Sequence, residues 1–263
     1  MRTTVYISLT LLVLAGCGNH KWPYDLNFPD QSIPLSNKLN EISGLELLSD
    51  SVVIAVQDEK ALVYYLDLRS GDIIDHFDFG KNADYEGIAA SNNEYYVLRS
   101  DGTIFKVSPT SDTEQFKFKH SKDFDFEGLC LDKSNNRLLV ACKEHGDKDK
   151  KDHIFIYSFL LDSNTYDKKP AFKIPRDKVH KNFKPSAIAI HPNGNIYILS
   201  SFSKTLLVIS AKGTILRAEQ LNAYIFHQPE GITFNAAGDL YLSNERTETA
   251  ATILKFKNTH KRK

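Results

Sequence analysis

The sequence is short of several things, and each shortage narrows what the chain can be. One Met and one Trp in 263 residues leave no material for a Met-rich, adaptable binding groove. Neither charge is in surplus: Lys and Arg number 33, Asp and Glu number 33, and the formal net charge is zero. A nucleic-acid binder would carry a basic stripe, so nucleic acid is not an expected partner. No nucleophile elbow, P-loop or dinucleotide fingerprint is present. No two of the nine His fall at a zinc-ligand spacing, and His145, beside Glu144, is the only one in suggestive company. No apolar run is long enough to span a bilayer. The best one, residues 5–14, is broken by Ser8 and Thr10 and falls well short of the roughly 20 residues a spanning helix needs.

Cysteine is scarce too, with three in all. Cys130 and Cys142 sit in two strand-like runs joined by a polar turn, residues 132–137 (Asp-Lys-Ser-Asn-Asn-Arg). A turn centred on Ser134-Asn135 sets Cys130 opposite Leu139 and puts Cys142 on the other face of the sheet, a geometry that disfavours a disulfide between them. Both then serve as small buried hydrophobes. The third, Cys17, ends Leu14-Ala15-Gly16-Cys17, which follows Arg2 and the apolar stretch. That order is the pattern of a lipoprotein signal, cut before the Cys that then carries the acyl chains, palmitate included. Residues 1–16 are thus expected to be a signal peptide, 17–22 a lipidated tether and 23–258 the folded domain, with 259–263 a basic tail. The expected place is the cell envelope of a bacterium, on the extracytoplasmic face of the outer membrane, as a monomer held by its lipid.

What the chain does have is a repeat. Residues 84–89 read Asp-Tyr-Glu-Gly-Ile-Ala, 125–130 Asp-Phe-Glu-Gly-Leu-Cys and 228–233 Gln-Pro-Glu-Gly-Ile-Thr. Weaker copies stand at 41–45 (Glu-Ile-Ser-Gly-Leu) and 184–189 (Lys-Pro-Ser-Ala-Ile-Ala). The small residues Gly44, Gly87, Gly128, Ala187 and Gly231 recur about every 41–44 residues, with one long step of about 59. Each is followed by short runs rich in Val, Ile, Leu and Tyr, punctuated by turns such as Asp101-Gly102 and Lys212-Gly213. The 16 Phe and 12 Tyr supply bulk to fill the space between packed sheets. The pattern predicts an all-β, five-bladed β-propeller with four strands per blade. The fifth blade has three strands of its own. Its missing outer strand is expected from the chain start, residues 24–29 (Tyr-Asp-Leu-Asn-Phe-Pro), closing the ring and covering an open edge. Two polar segments, 144–152 and 162–170, explain the long step as solvated loops. In the first, the Gly and the terminal Glu do not stand at the spacing of a calcium-binding helix-loop-helix.

In a propeller the innermost strands line a channel, and Glu86, Glu127 and Glu230 start three of them, with Ser43 and Ser186 in the other two. A second position recurs at the ends of the second strands, in Gln57-Asp58-Glu59, Lys143-Glu144 and Asn244-Glu245. Antiparallel neighbours return that end to the same rim. Gathered carboxylates repel and lose hydration, so backbone donors, a Lys or Arg, or a metal must offset them. An oxygen-rich rim suits a hard cation, Ca²⁺ above all, with Glu86, Glu127, Glu230, Glu144 and Glu245 as its candidate ligands. The alternative is that each Glu caps its own loop by accepting backbone N–H groups.

The lipobox, the Ser-Gly-Leu and Glu-Gly-Ile/Leu starts, and the strand ends Leu-Val-Ala-Cys-Lys-Glu (139–144) and Leu-Tyr-Leu-Ser-Asn-Glu (240–245) together resemble the SdiA-regulated lipoprotein family, from about Ile33 to Phe256. The resemblance implies a five-bladed propeller distantly related to NHL-repeat proteins, a calcium site and no established activity. Ala187 in place of Gly and the insertion after Lys143 depart from the pattern. The function expected is a membrane-anchored, calcium-bearing module that binds a small molecule or a protein. The alternative is a calcium-dependent hydrolase of an ester, lactone or phosphoester.

Overall fold

The runs that read as near-continuous apolar stretches are middle strands, buried on both faces because a neighbouring blade covers each. The computed structural model describes residues 22–92, 94–119 and 124–260. Blade one comprises Ile42–Leu47, Val52–Gln57, Leu62–Asp67 and Ile73–Asp78, each antiparallel to the next. Blade two comprises Tyr85–Ser91, Glu94–Arg99, Ile104–Ser108 and Ser111–Phe116. Blade three comprises Asp125–Asp132, Arg137–Glu144, His153–Leu160 and Phe172–Pro175. Blade four comprises Ala187–Ile190, Ile196–Ser200, Thr205–Ile209 and Ile215–Gln220, and blade five Pro229–Phe234, Leu240–Asn244 and Thr252–Phe256. Polarity follows position. Leu240–Asn244 is wholly buried, whereas the outer strand Ile73–Asp78 is largely exposed.

The core is divided as a propeller requires. There are five hydrophobic clusters, and each lies between two neighbouring blades. Each inner strand touches the inner strands on both sides of it, and the fifth touches the first. The close approach is visible at the repeat's small residues. A Cβ on Gly44 would lie 2.7 Å from the Cα of Gly87 and 2.9 Å from the backbone nitrogen of Ile88. The neighbouring strand's backbone cannot yield, so Gly44→Ala should destabilise the fold by about 3 kcal/mol, the upper range for overpacking. Ala187→Gly, which only removes a methyl, should cost about 1 kcal/mol. Denaturant unfolding of the two variants separates them, and equal costs would remove the close-approach explanation.

The ring is closed by the chain start, but not by residues 24–29. The closing strand is Gln31–Pro34, paired to Thr252–Phe256 with Ile33 opposite Ile253. Residues 24–29 are held out of strand geometry by a turn: the Asp25 carboxylate accepts the Asn27 N–H at 3.2 Å, and its carbonyl accepts the Phe28 N–H at 3.2 Å. Such local bonding competes with a ladder. Tyr24 and Leu26 instead plug the core between blades four and five. In blade three the expected loop 162–170 contains a two-residue strand, Thr165–Tyr166, paired to Phe159–Leu160. Tyr166 pins it, packing edge-on to Phe159 and donating to the Gly102 carbonyl at 2.7 Å. Cys130 stands opposite Leu139, as the turn predicts, and both Cys130 and Cys142 are buried free thiols.

Candidate functional site

In four of the five blades, the residue that aligns across the repeat is also where the inner strand breaks register. Pairing slips between Ile42 and Gly44, Tyr85 and Gly87, Phe126 and Gly128, and Pro229 and Gly231. Ser43, Glu86, Glu127 and Glu230 are therefore the extra residues of four β-bulges. A bulge leaves one residue outside the ladder and re-aims its side chain. Here the side chains at the bulges face the channel. The two Ser copies are short and stitch neighbouring blades: Ser43 Oγ donates to the Tyr85 carbonyl at 2.6 Å and Ser186 Oγ to the Pro229 carbonyl at 3.0 Å. The three Glu copies are long enough to enter the mouth.

Below the bulges the channel is nearly shut. Gly44, Gly87, Gly128, Ala187 and Gly231 ring a neck of only about 10 Å³. Above it opens a cup of about 300 Å³. Three repeat positions line the cup: the bulge residues Glu86, Glu127 and Glu230; the residues two places earlier, Glu41, Asp84, Asp125 and Gln228; and the second-strand ends Asp58, Lys143 and Glu245. Backbone bonds hold these rows together. The Asp58 N–H donates to the Glu41 carbonyl, and the Asp58 carbonyl accepts the Tyr85 N–H. The Ser100 N–H donates to Asp84, and the Glu245 N–H to Gln228.

Eight carboxylates thus share one cup with a single cationic side chain. Lys143 contacts Glu127 directly and lies 3.6 Å from Asp125. Gln228 donates its amide to Glu245. For several of the acids, burial outweighs that compensation. Burial, then Asp84, pushes Glu86 up to about 9 against the pull of Lys143. Burial, then Glu230, Glu41 and Asp58, pushes Glu245 up to about 8. Burial and then Glu41, Glu59 and Asp84 push Asp58 up to about 6. Glu230 and Asp125 are raised as well, again mainly by burial. One buried oxygen, Asp58 Oδ1, has no hydrogen-bond partner. In kind, these donors fit a hard cation. Among the described residues no group of three acidic, His or Cys side chains is drawn together tightly enough to make a ready coordination shell, so the site is an open cup of carboxylates.

Of the five residues singled out from sequence, the structure brings Glu86, Glu127, Glu230 and Glu245 together and sets Glu144 apart. Glu144 faces a neighbouring pocket and pairs with Lys184, whose hydrogen bond holds its carboxyl below the usual range. His145 is wedged between Phe124 and Phe155, with ring centroids 4.4 and 4.8 Å away, and its Nε2 is 3.3 Å from the Tyr157 hydroxyl. Glu41, Asp84 and Asp125 were missed as rim residues, although a signal existed. An acid stands two places before the bulge in three of the five copies, and a strand's period of two sends both to one side. Glu46, beyond the neck, accepts the Thr233 hydroxyl at 3.3 Å and is pushed up to about 7 by burial. No repeat position marked it.

A second opening, of about 350 Å³, adjoins the cup and shares Glu127, Lys143, Gln228 and Glu230 with it. Its outer wall is Phe202, 66% exposed, with Lys184 Nζ 5.2 Å from the ring centre. The turn that presents Phe202 is tightly tied. The Ser203 hydroxyl donates to Ser200 Oγ at 2.9 Å, Ser200 Oγ accepts the Lys184 N–H at 3.1 Å, and Ser186 Oγ accepts the Ser201 N–H at 3.1 Å.

Fold and site together define a five-bladed β-propeller with a blind channel and an acidic cup at one mouth. The chain belongs to the SdiA-regulated family, whose sequence model matches residues 24–247. No curated protein matches it by sequence. Among solved structures it is similar to the glutaminyl cyclase of Myxococcus xanthus, with TM-score 0.63 and 15% identity over 88% of this chain and 95% of that one. It is also similar to the PQQ-bound aldose sugar dehydrogenase of Streptomyces coelicolor, with TM-score 0.54 and 14% identity over 88% and 97%. A chain of a nidogen/laminin complex matches with TM-score 0.53 and 13% identity over 77% and 72%. At such identities the likeness is one of fold alone.

Proposed function

We propose that this protein is a binding module whose acidic cup takes Ca²⁺ and whose upper face recognises a small-molecule or protein ligand. The observation that carries the reading is the imbalance in the cup, eight carboxylates against Lys143, with one buried carboxylate oxygen left without a partner. Glu86, Glu127, Glu230, Glu245 and Asp58 are the residues that would hold the ion. Bound there, it would supply fixed positive charge and a Lewis-acidic centre. The adjoining opening, with an exposed aromatic wall and Ser, Lys and Glu side chains, has the mixed character of a ligand pocket. Calorimetric titration of the metal-free protein with Ca²⁺ tests the metal. Absence of heat, together with no calcium in the purified protein, would leave these Glu residues as loop-bound carboxylates.

The hydrolase reading needs an open metal position with a base such as His145 or a rim Glu within reach. His145 lines the neighbouring pocket, and burial followed by Lys150 lowers its pKa, which leaves a rim Glu as the base that reading would use. The binding module is the reading we adopt, because the carboxylate oxygen without a partner and the adjoining aromatic-walled opening point to binding.

The proposal places the domain outside the bacterial cytoplasm, on the outer membrane, as a lipid-anchored monomer. Its support is the signal pattern ending at Cys17, which lies outside the described residues. No helix among the described residues is long and apolar enough to cross a membrane. Cys17→Ser should therefore shift the protein from the membrane fraction to a soluble or unprocessed form. A Cys17→Ser protein that stays processed and membrane-bound would sink the lipid anchor.

A further inference from the structure

The insertion after blade three's second strand meets the link from blade three to blade four. The segment after Arg137–Glu144 (residues 145–152) and the link from blade three to blade four (residues 176–184) are joined by the Arg176 N–H, which donates to the Asp152 carbonyl at 2.9 Å. The Arg176 side chain reinforces this, its Nε donating to the Lys151 carbonyl at 2.7 Å. Between them lies a pocket of about 210 Å³. Five cationic side chains face it, Lys143, Lys151, Arg176, Lys181 and Lys184, against one acid, Glu144. Glu144 neutralises Lys184, and Lys143 is engaged by the acids of the cup. Lys151, Arg176 and Lys181 make no ion pair with any described residue.

In a chain with no net charge, three cations without a direct ion pair around one concavity are a local excess that general basicity does not explain. The arginine is also half-buried, and desolvation by burial lowers its pKa. With Nε spent on orientation, the two outer nitrogens of the fork remain for an acceptor, the geometry in which guanidinium meets planar or tetrahedral oxyanions. A carboxylate would bring one charge. A phosphate monoester brings nearly two, with three strong acceptor oxygens, and so matches three free cations more closely.

We infer that the pocket between this insertion and the interblade link is a binding site for a phosphate group, free or carried on a larger molecule. The site is separate from the acidic cup and does not depend on calcium being there.

The test is calorimetry on the metal-free protein at low ionic strength with inorganic phosphate, and flotation with vesicles of neutral lipid with or without phosphatidic acid. Phosphate binding that weakens roughly tenfold in Arg176→Gln and in Lys181→Gln is the expected result. Lys181 is exposed, so its variant keeps the test meaningful if Arg176→Gln folds poorly. Glu144→Gln should tighten binding, because it removes the one acid that lines the pocket and frees Lys184. Binding to phosphatidic-acid vesicles without binding to inorganic phosphate, with the same response to the variants, would assign the phosphate to a lipid headgroup. No binding to either probe would overturn the site, as would equal binding by Lys181→Gln or weaker binding by Glu144→Gln.

Discussion

A chain that begins at Ser36 should not melt cooperatively at all. Such a truncation removes Gln31–Pro34, the outer strand of blade five, and bares the ladder edge of Thr252–Phe256. It also removes four buried side chains, Tyr24, Leu26, Ile33 and Leu35, which fill the seams on both sides of blade five. Truncating one large buried side chain typically costs about 2–5 kcal/mol. Four together, at about 8–20 kcal/mol, are as large as the roughly 5–15 kcal/mol by which a domain is stable. The ring amplifies the loss, because blade five is the seam through which blades four and one complete their packing. A milder version grades the effect. Ile33→Ala, at a residue 2% exposed, should cost about 2–5 kcal/mol. Phe28→Ala, at a residue 75% exposed, should change stability by about 0.5 kcal/mol or less. A truncated chain that melts sharply at the full-length temperature would show that closure does not depend on this strand.

The metal-free protein should become less stable as pH rises, and calcium should reverse the trend. Glu86 at about 9 and Glu245 at about 8 hold protons in the folded state that the unfolded chain releases in the ordinary carboxylate range. Across that window the folded state binds more protons, so unfolding is favoured by raising the pH. Stability should thus be greatest near the ordinary carboxylate pKa and fall until pH passes about 9. Asp58, at about 6, adds to the early part of the fall. The groups facing Glu86 are Asp84, Asp125, Glu230 and Lys143, and those facing Glu245 are Glu230, Glu41 and Asp58, so acids dominate both surroundings. Ca²⁺ needs these groups ionised, and its stabilisation should therefore be largest where the metal-free fold is weakest. At a hundredfold excess over Kd it amounts to roughly 2.7 kcal/mol, or about 5–10 °C in melting temperature for a domain of this size. Glu86→Gln gives the sharpest check, because the amide resembles the protonated acid. It should raise the metal-free melting temperature at pH 8 and shrink the calcium increment. Melting curves at pH 5 and pH 8, with calcium and with chelator, read both effects. A metal-free protein equally stable at both pH values would refute the account of the cup.

Much of this was legible because a propeller is written as a repeat. The five markers from Gly44 to Gly231 predict five blades, and five sheets stand around one channel. Alternation and turn residues located nearly every strand, since each blade must bury the same faces. Cys130 was placed opposite Leu139 by the turn alone. Errors arose where a local preference competed with the pattern. The closing strand lies beyond residues 24–29 because an Asp25 turn takes up backbone groups a ladder would need. Glu144 looked equivalent to Glu245, but Lys143 faces the cup in blade three, and Glu144 turns outward to Lys184.

Sequence by itself determined the architecture, the blade count, the origin of the closing strand in the chain start, and the convergence of Glu86, Glu127 and Glu230. Those depend on periodicity, and periodicity survives in one dimension. Tertiary structure alone decided that the repeated Glu occupies a bulge and that Asp84 and Asp125 join it. The same is true of the near-closure of the channel beneath the cup and of the basic pocket between blade three's insertion and the interblade link. These follow from inter-blade spacing and from which side chains share a cavity. Such distances run between residues tens to hundreds of positions apart, where no local pattern records them.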